Sequence, residues 1–189
     1  MSFEDRTDLH FARKVRGAFL FLQEMGFAEV EAASALVLYR KDDVEVDVYH
    51  GRQSYEVSAG VTAFGVRYSM SELIRTADTA AAQTYRSTVA TTSEGIADGL
   101  AELCSLMKSY GGDALKGDRQ FFSKLAKQRE QWSEDYALDV MAGQLRPQAE
   151  EAFRRGNYAM AAELYARIEG RLTQTEVKKL AFAKSRSSG

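Results

Sequence analysis

The segment that decides the fold class of this chain is VEVDVY, residues 44–49. Three valines alternate with Glu45, Asp47 and Tyr49, and successive side chains of a β-strand point to opposite faces of a sheet. The segment therefore predicts a strand with a buried valine face and a charged outer face. After a turn at residues 50–53, residues 54–59 alternate in the same way and predict a second strand.

Further strand segments flank these two. Residues 35–40 predict a strand that precedes the polar turn Lys41-Asp42-Asp43, and residues 64–68 predict a fourth strand. The result is an antiparallel meander from about Ala33 to Ala59, with one apolar face. Upstream, apolar residues recur at steps of three and four between Asp8 and Met25, which predicts a helix that covers this face. The fold class expected is α+β.

The chain after residue 69 is predicted to be helical. Ser69 and Glu72 have the spacing of a capping box, a helix is expected from Glu94 to Tyr110, and Asp118 can cap a third. The apolar positions of this part are Phe121, Phe122, Leu125, Trp132, Tyr136 and Val140, followed by Val177, Leu180 and Ala181 in a last helix from Thr175 to Lys184. We therefore expect an α+β module at residues 1–76 and a helical module at residues 77–189.

A helical pair is indicated by QAEEAFRRGNYAMAAELYAR, residues 148–167. Its small residues would let two short helices approach closely, with a turn at residues 155–157 and Pro147 in the first helical turn. The pattern Gly156, Tyr158, Ala161 and Tyr165 resembles the core of one tetratricopeptide unit, at about residues 147–170. The resemblance implies a helical hairpin of a kind that binds other proteins.

Composition limits the classes of protein that fit. The 189 residues are 45% hydrophobic and 28% charged, which indicates a folded globular protein, and the net charge of −2 disfavours binding to nucleic acid or to an anionic membrane. The single cysteine, Cys104, cannot form a disulfide within the chain. The first residues are acidic and lack a long apolar run, so we expect neither a secretory signal nor a membrane span, and a cytoplasmic location.

No motif predicts a cofactor or a metal. His10 and His50 have no neighbouring histidine or cysteine at zinc-ligand spacing, and no glycine-rich phosphate loop occurs. Cys104 lies among Leu103, Leu106 and Met107, where a buried small hydrophobic role is favoured over a reactive thiolate.

Four carboxylates form the strongest candidate site. Asp43, Glu45 and Asp47 alternate along the central strand, and Glu56 is expected on the same outer face from the next strand. One interpretation is that the charges keep sheets from associating. The other is an acidic docking surface for a basic protein, where charge complementarity speeds association and sets orientation.

These patterns favour a non-catalytic protein that binds another protein. Its general character, a small α+β module with an acidic face, resembles that of small bacterial immunity proteins, which bind and occlude a toxin. The alternative is a hydrolase that uses a pair of carboxylates on an unknown substrate. The binding surface would be either the acidic sheet face or the helical cleft.

Overall fold

The structure is a computed structural model in which residues 10–187 are described. Two compact units comprise residues 1–125 and 126–189. This division lies further along the chain than the expected boundary between residues 76 and 77, because helices after residue 77 pack in the first unit. Asp8, the expected start of the first helix, lies outside the described residues.

The first unit contains a six-stranded antiparallel sheet, which confirms the α+β fold class. The first five strands lie side by side in chain order, and the sixth pairs with the fourth. Their bounds are β1 Ala28–Ala33, β2 Leu36–Lys41, β3 Val44–His50, β4 Glu56–Ala63, β5 Val66–Ser69 and β6 Thr88–Val89.

β1 and β6 were not predicted from the sequence. β1 reads AEVEAA and is an edge strand that is interrupted by a bulge between Glu29 and Glu31. Its alanines and glutamates carry no strong strand preference, so pairing with β2 decides its conformation. β6 has two residues, too few for a two-residue period to be recognised.

The predicted register of the central strand is confirmed. Val46 and Val48 are completely buried and Val44 is 5% exposed, whereas the alternate residues of β3 stay partly exposed. On the same inner face, Val57, Ala59 and Val61 of β4 are buried as well.

Helices cover the inner face of the sheet. They are α1 Phe11–Ala18, α2 Leu20–Glu24, α3 Met70–Ala77, α4 Thr79–Thr84, α5 Ser93–Tyr110 and α6 Gly112–Leu115. The single helix expected up to Met25 is therefore two helices, because Phe19 leaves the helical conformation with φ −102° and ψ 22°. Phe19 and Leu22 are still fully buried, so the apolar face was predicted correctly.

Local signals at the helix ends are confirmed. The Ser69 backbone N–H donates to the carboxylate of Glu72 over 2.8 Å, which forms the predicted capping box of α3. α5 ends at Tyr110, before Gly111 and Gly112. Within α5, Gly99 lets the helix approach the sheet, because a Cβ there would lie 3.0 Å from a methyl carbon of Thr88.

Two turns differ from their predicted positions. Tyr55 was expected in a strand, but it has φ 53° and β4 begins one residue later and continues to Ala63. Phe64, expected to start a strand, has φ 53° and forms the turn before β5 together with Gly65, whose φ is 78°. These left-handed conformations end the strand geometry at both positions.

His50 was expected in a turn, but it is the last residue of β3 and is 2% exposed. Its Nε2 lies 2.8 Å from the carbonyl oxygen of Ala90, and its ring stacks on Phe11 with the centroids 5.9 Å apart. The histidine joins β3 to α1 and to the segment after β6.

The second unit is helical. It contains most of α7 Arg119–Arg154, with α8 Tyr158–Arg167 and α9 Gln174–Ser187. Asp118 caps α7 as predicted, because its Oδ1 accepts the backbone N–H groups of Gln120 and Phe121. Pro147, predicted to open the helical pair, lies instead inside the 36-residue α7, which is continuous through it.

The predicted turn of the helical hairpin is confirmed. α7 ends at Arg154 and α8 begins at Tyr158, with Gly156 at φ 77° and the Asn157 side chain accepting the N–H of Met160 over 3.2 Å. Ala161 and Tyr165 are fully buried in the apolar core of the second unit, which also contains Ala152, and the Tyr165 hydroxyl donates to Glu150 of α7 over 2.9 Å.

The buried face of α9 was predicted only in part, because Leu180 is buried as expected but Val177 and Ala181 are not. Val177 is 51% exposed and Ala181 is exposed, whereas Glu176, Leu180 and Ala183 are buried. Glu176 accepts hydrogen bonds from Arg146 Nε and from the N–H of Thr173, both over 2.7 Å. Because this carboxylate has partners, it can be buried on the same side of the helix as Leu180 and Ala183.

Candidate functional site

The outer face of the sheet carries most of the predicted site. In the register of β3, Glu45 lies opposite Arg40 and Thr62, and Asp47 lies opposite Leu38 and Gly60. Strand alternation places Glu56 on the same face, opposite Val89. Asp43 is exposed in the turn that precedes β3. The structure therefore places three of the four predicted residues on one face and the fourth at its edge.

Glu45 is not a free carboxylate. Arg40, its direct neighbour on β2, donates from Nε over 2.7 Å, and its Nη2 lies 2.6 Å from the same oxygen. The side chains of Arg40 and Glu45 are 53% and 31% exposed, so solvent screens the pair and its contribution to stability is small.

Asp47 is held more firmly, by Arg67 of β5. The guanidinium donates from Nε over 2.8 Å and from Nη2 over 2.6 Å, one bond to each carboxylate oxygen. The hydrogen bond from Arg67 to Asp47 is the main cause that raises the pKa of the guanidinium. Arg67 also lies over the ring of Tyr49, 5.6 Å from its centroid.

Gly60 makes this arrangement possible. It stands between Asp47 on β3 and Ser69 on β5, and the Arg67 side chain passes over it. A Cβ at position 60 would lie 2.5 Å from Nη2 and 2.6 Å from Cζ of Arg67. The absence of a side chain therefore opens the path by which an arginine reaches across a strand to an aspartate.

Pairing does not neutralise the face. The face carries four carboxylates, at Glu31, Glu45, Asp47 and Glu56, against the two guanidinium groups of Arg40 and Arg67, for a net charge of −2, and Asp43 lies at its edge. Among the described residues, Glu31, Asp43 and Glu56 take part in no ion pair. The carboxylates that are free to meet a partner therefore lie at the periphery of the face.

The centre of the face is apolar, which the sequence analysis missed. Leu36 and Leu38 of β2 lie opposite Tyr49 and Asp47, and all three apolar side chains are partly exposed. The segment LVLYR is apolar on both faces of the strand, so its sequence could not show which leucines point outward. We call this outer surface the sheet face. It consists of Leu36, Leu38 and Tyr49 with the charged residues Glu31, Arg40, Glu45, Asp47, Glu56 and Arg67.

At the edge of the sheet face, Asp43 lines a small open pocket of about 140 Å³. Lys41, Asp42, Lys116 and Arg119 also line it, so charges of both signs meet there. Arg119 lies 4.6 Å from the ring centroid of Phe64, the residue with the left-handed backbone.

The acid–base properties of the carboxyls bear on the hydrolase alternative. Within residues 10–187, the carboxyls with displaced pKa values are Glu29, Glu150 and Glu176, and each pKa is lowered. Hydrogen bonds from Arg16 and from Lys179 are the main causes at Glu29 and Glu150. At Glu176, burial acts to raise the pKa, and hydrogen bonds from Thr173 and Arg146 outweigh it. A general acid requires a raised pKa, so these three glutamates do not fit that role.

The remaining candidates for chemistry within residues 10–187 are metal ligands and the single cysteine. No group of three His, Cys, Asp or Glu side chains there could hold a metal ion. Cys104 is 8% exposed on α5, which confirms its prediction as a buried residue. Residues 10–187 also contain no helix with the length and apolar character that a membrane span needs.

The second unit has its own candidate surface, a groove of about 410 Å³ beside the helical hairpin. Pro147 and Ala152 of α7 and Met160 of α8 supply its apolar lining, with Glu151 and Arg155 beside them. Comparisons of the chain with protein-family models, curated proteins and solved structures returned no match. The likeness of the hairpin to a tetratricopeptide unit therefore stays a prediction.

Proposed function

We propose that this protein acts by binding another protein through the sheet face, without catalytic turnover. The observation that carries the proposal is the arrangement of that face: a partly exposed apolar centre at Leu36, Leu38 and Tyr49, surrounded by charged residues. Protein interfaces commonly have this anatomy, in which a central aromatic or aliphatic group supplies most of the affinity and a polar rim excludes water.

The charge of the face indicates the chemistry of the partner. The face has a net charge of −2, and its peripheral Glu31 and Glu56 form no ion pair with another described residue, so it suits a partner surface with basic residues around an apolar centre. Occlusion of a basic protein, as small bacterial immunity proteins occlude a toxin, is a mode of action that such a face would support. The charges would chiefly speed association and set its orientation.

The paired carboxylates have a different role in this proposal. Glu45 and Asp47 hold Arg40 and Arg67 in place. Reversing the charges of these two carboxylates would therefore change the arrangement of the side chains on the sheet face as well as its electrostatic potential. The better variant is the double substitution Glu31→Lys and Glu56→Lys, because neither glutamate forms an ion pair among the described residues. The matched control is Glu163→Lys with Glu169→Lys, which changes the net charge equally at exposed positions of the second unit.

The first experiment is a pull-down from the source cells with the wild-type protein and both double variants, followed by measurement of association rates with the recovered partner. We expect the sheet-face variant to associate more slowly and with a weaker dependence on salt, and the control to behave like wild type. Equal rates for both variants would exclude the sheet face as the site.

A second variant tests the apolar centre. Truncation of a central interface tyrosine commonly costs 2 kcal/mol or more of binding free energy, about 30-fold in affinity. We expect Tyr49→Ala to weaken binding by about that factor through faster dissociation. Because Tyr49 also contacts Arg67, a melting curve of the variant must first show that the fold is kept. A folded variant with unchanged affinity would contradict the proposal.

A further inference from the structure

Three turns of the first unit meet at the small pocket of about 140 Å³ that Asp43 lines. Two of them are hairpin turns, at Asp42 between β2 and β3 and at Phe64 between β4 and β5, and the third contains Gly117, between α6 and α7. The register of β3 and β4 brings the two hairpin turns side by side. We call the space between Asp42, Phe64 and Gly117 the turn pocket.

Each of the three turns has a residue in the left-handed region of the backbone. The angle φ is 50° at Asp42, 53° at Phe64 and 71° at Gly117. Aspartate and glycine adopt this region readily, but a bulky aromatic residue rarely does. Residues in such conformations cluster at ligand-binding sites, where the surrounding structure holds them in place. The conformation of Phe64 therefore favours a binding role for the pocket over a mere gap between loops.

The packing of Phe64 makes it one wall of the turn pocket. Its ring meets Phe122 edge-on with the centroids 5.7 Å apart, and the guanidinium of Arg119 lies 4.6 Å from its centroid. The side chain is still 42% exposed. Val44 and Leu115, both buried, are the other apolar residues of the lining. A ligand in the pocket would therefore meet a small apolar surface.

Opposite charges line the turn pocket without neutralising each other. Arg119 donates no hydrogen bond to another described residue, and Asp42 and Asp43 form no ion pair with one, although all three line the same small pocket. The pocket therefore offers a guanidinium on one side and two carboxylates on the other, each with its hydrogen-bonding capacity available.

The two lysines of the lining are engaged elsewhere. The Lys41 ammonium group donates to the carbonyl oxygen of Met25 over 2.7 Å, and that of Lys116 pairs with Asp113 over 3.2 Å. The available cation of the turn pocket is therefore the guanidinium of Arg119.

We infer that the turn pocket binds a small α-amino acid, with the ligand carboxylate at Arg119 and its ammonium group at Asp42 and Asp43. A ligand with both charges gives both sides of the pocket charge-assisted hydrogen bonds, whereas a simple anion or a simple cation satisfies one side and is repelled by the other. The pocket volume is roughly that of four or five water molecules, which suits an amino acid with a small apolar side chain. Alanine and valine have this size.

The turn pocket and the sheet face share no residue. The inference is therefore independent of the binding proposed for that face, and either can fail without the other.

Titration of the full 189-residue chain with L-alanine and L-valine, followed through its backbone amide NMR signals, tests the inference. We expect saturable shifts at Asp43, Lys116 and Gly117, with a dissociation constant of about 1 mM or below for at least one of the two amino acids. N-acetyl-L-valine lacks the ammonium group and L-valinamide lacks the carboxylate, so each should bind at least about tenfold more weakly than L-valine.

Two variants remove the two sides of the pocket separately. Arg119→Gln removes the positive charge, and Asp42→Asn with Asp43→Asn removes the negative charges, with an asparagine that tolerates the left-handed backbone at position 42. Each should weaken binding at least about tenfold. The matched controls are Arg13→Gln and Asp98→Asn, at exposed positions of the first unit outside the pocket, and both should bind like wild type.

Thermal melts should show that all of these variants are folded. Three results would each overturn the inference. The first is the absence of a saturable shift with either amino acid up to about 20 mM. The second is binding of N-acetyl-L-valine or L-valinamide as tight as that of L-valine, and the third is a folded pocket variant that binds like its control.

Discussion

Replacing Gly60 by alanine tests the arrangement at the sheet face most directly. The new Cβ would lie 2.5 Å from Nη2 of Arg67, a distance that no non-bonded pair tolerates, so the guanidinium must move. The atoms that meet the Cβ are the end of a flexible side chain and can shift, and the shift weakens the hydrogen bonds to Asp47 and the contact with the Tyr49 ring. The Asp47 side chain is only 15% exposed, so water can replace the hydrogen bonds from Arg67 only poorly.

The expected change in the free energy of unfolding of Gly60→Ala follows from two opposing effects. A largely buried carboxylate that loses its hydrogen-bonding partner costs about 1–3 kcal/mol, and the lower part of that range applies because Arg67 is 44% exposed. Alanine in a strand regains about 0.5–1 kcal/mol relative to glycine, since its unfolded chain has less conformational freedom to lose. A loss of about 1–2 kcal/mol set against a gain of about 0.5–1 kcal/mol means that the free energy of unfolding should fall by about 0–1.5 kcal/mol in Gly60→Ala.

Urea unfolding of four proteins separates these effects: wild type, Gly60→Ala, Arg67→Ala and the double variant. If the clash with Arg67 is the cause, Gly60→Ala should be neutral or stabilising once Arg67 is alanine, because only the gain in strand preference remains. A loss of stability as large in the Arg67→Ala background as in wild type would refute this reasoning.

Three further predictions concern the second unit. Ala161→Leu should overpack the apolar core of the second unit, in which Ala161 is fully buried, and cost about 1–3 kcal/mol, and an unchanged urea midpoint would count against tight packing there. Pro147→Ala should stabilise the chain by about 1–3 kcal/mol by restoring a hydrogen bond to the carbonyl of Gly143, seen as a higher melting temperature. The folded-state pKa of Glu176 is below the ordinary 4.5, so its stabilisation is present above that pH and is lost as the pH falls through the folded-state pKa. In Glu176→Gln, the free energy of unfolding should fall less steeply as the pH is lowered. An unchanged dependence on pH would exclude Glu176 as a source of the acid-sensitive stability.

Residues with a single local role were predicted well. The capping box of Ser69 and Glu72, the cap at Asp118 and the turn at Gly156 each depend on contacts within a few residues, and each is confirmed. The valine face of β3 was also found, because one buried side of a strand leaves a two-residue period in the sequence.

The candidate site was only partly predictable. Glu45 and Asp47 were placed on the correct face, but their pairing with Arg40 and Arg67 was not foreseen. Arg67 is twenty residues from Asp47 and reaches it only because β4 has a glycine between them. Tyr49 was assigned to the outer face, yet its place in an apolar centre depends on leucines from a neighbouring strand.

The sequence by itself determined the α+β class, the register of the valine strand and the position of the helical hairpin. These follow from side-chain periodicity and from backbone preferences, which act over a few residues. Only the tertiary structure decided where α9 buries its face, that Pro147 lies within a continuous helix, and which carboxylates of the sheet face are paired. Those outcomes depend on partners distant in sequence: Arg146 makes the burial of Glu176 tolerable, and Gly60 gives Arg67 its path to Asp47. The pattern of a single segment does not identify such partners, because the interaction energy between them arises only when separate segments pack together.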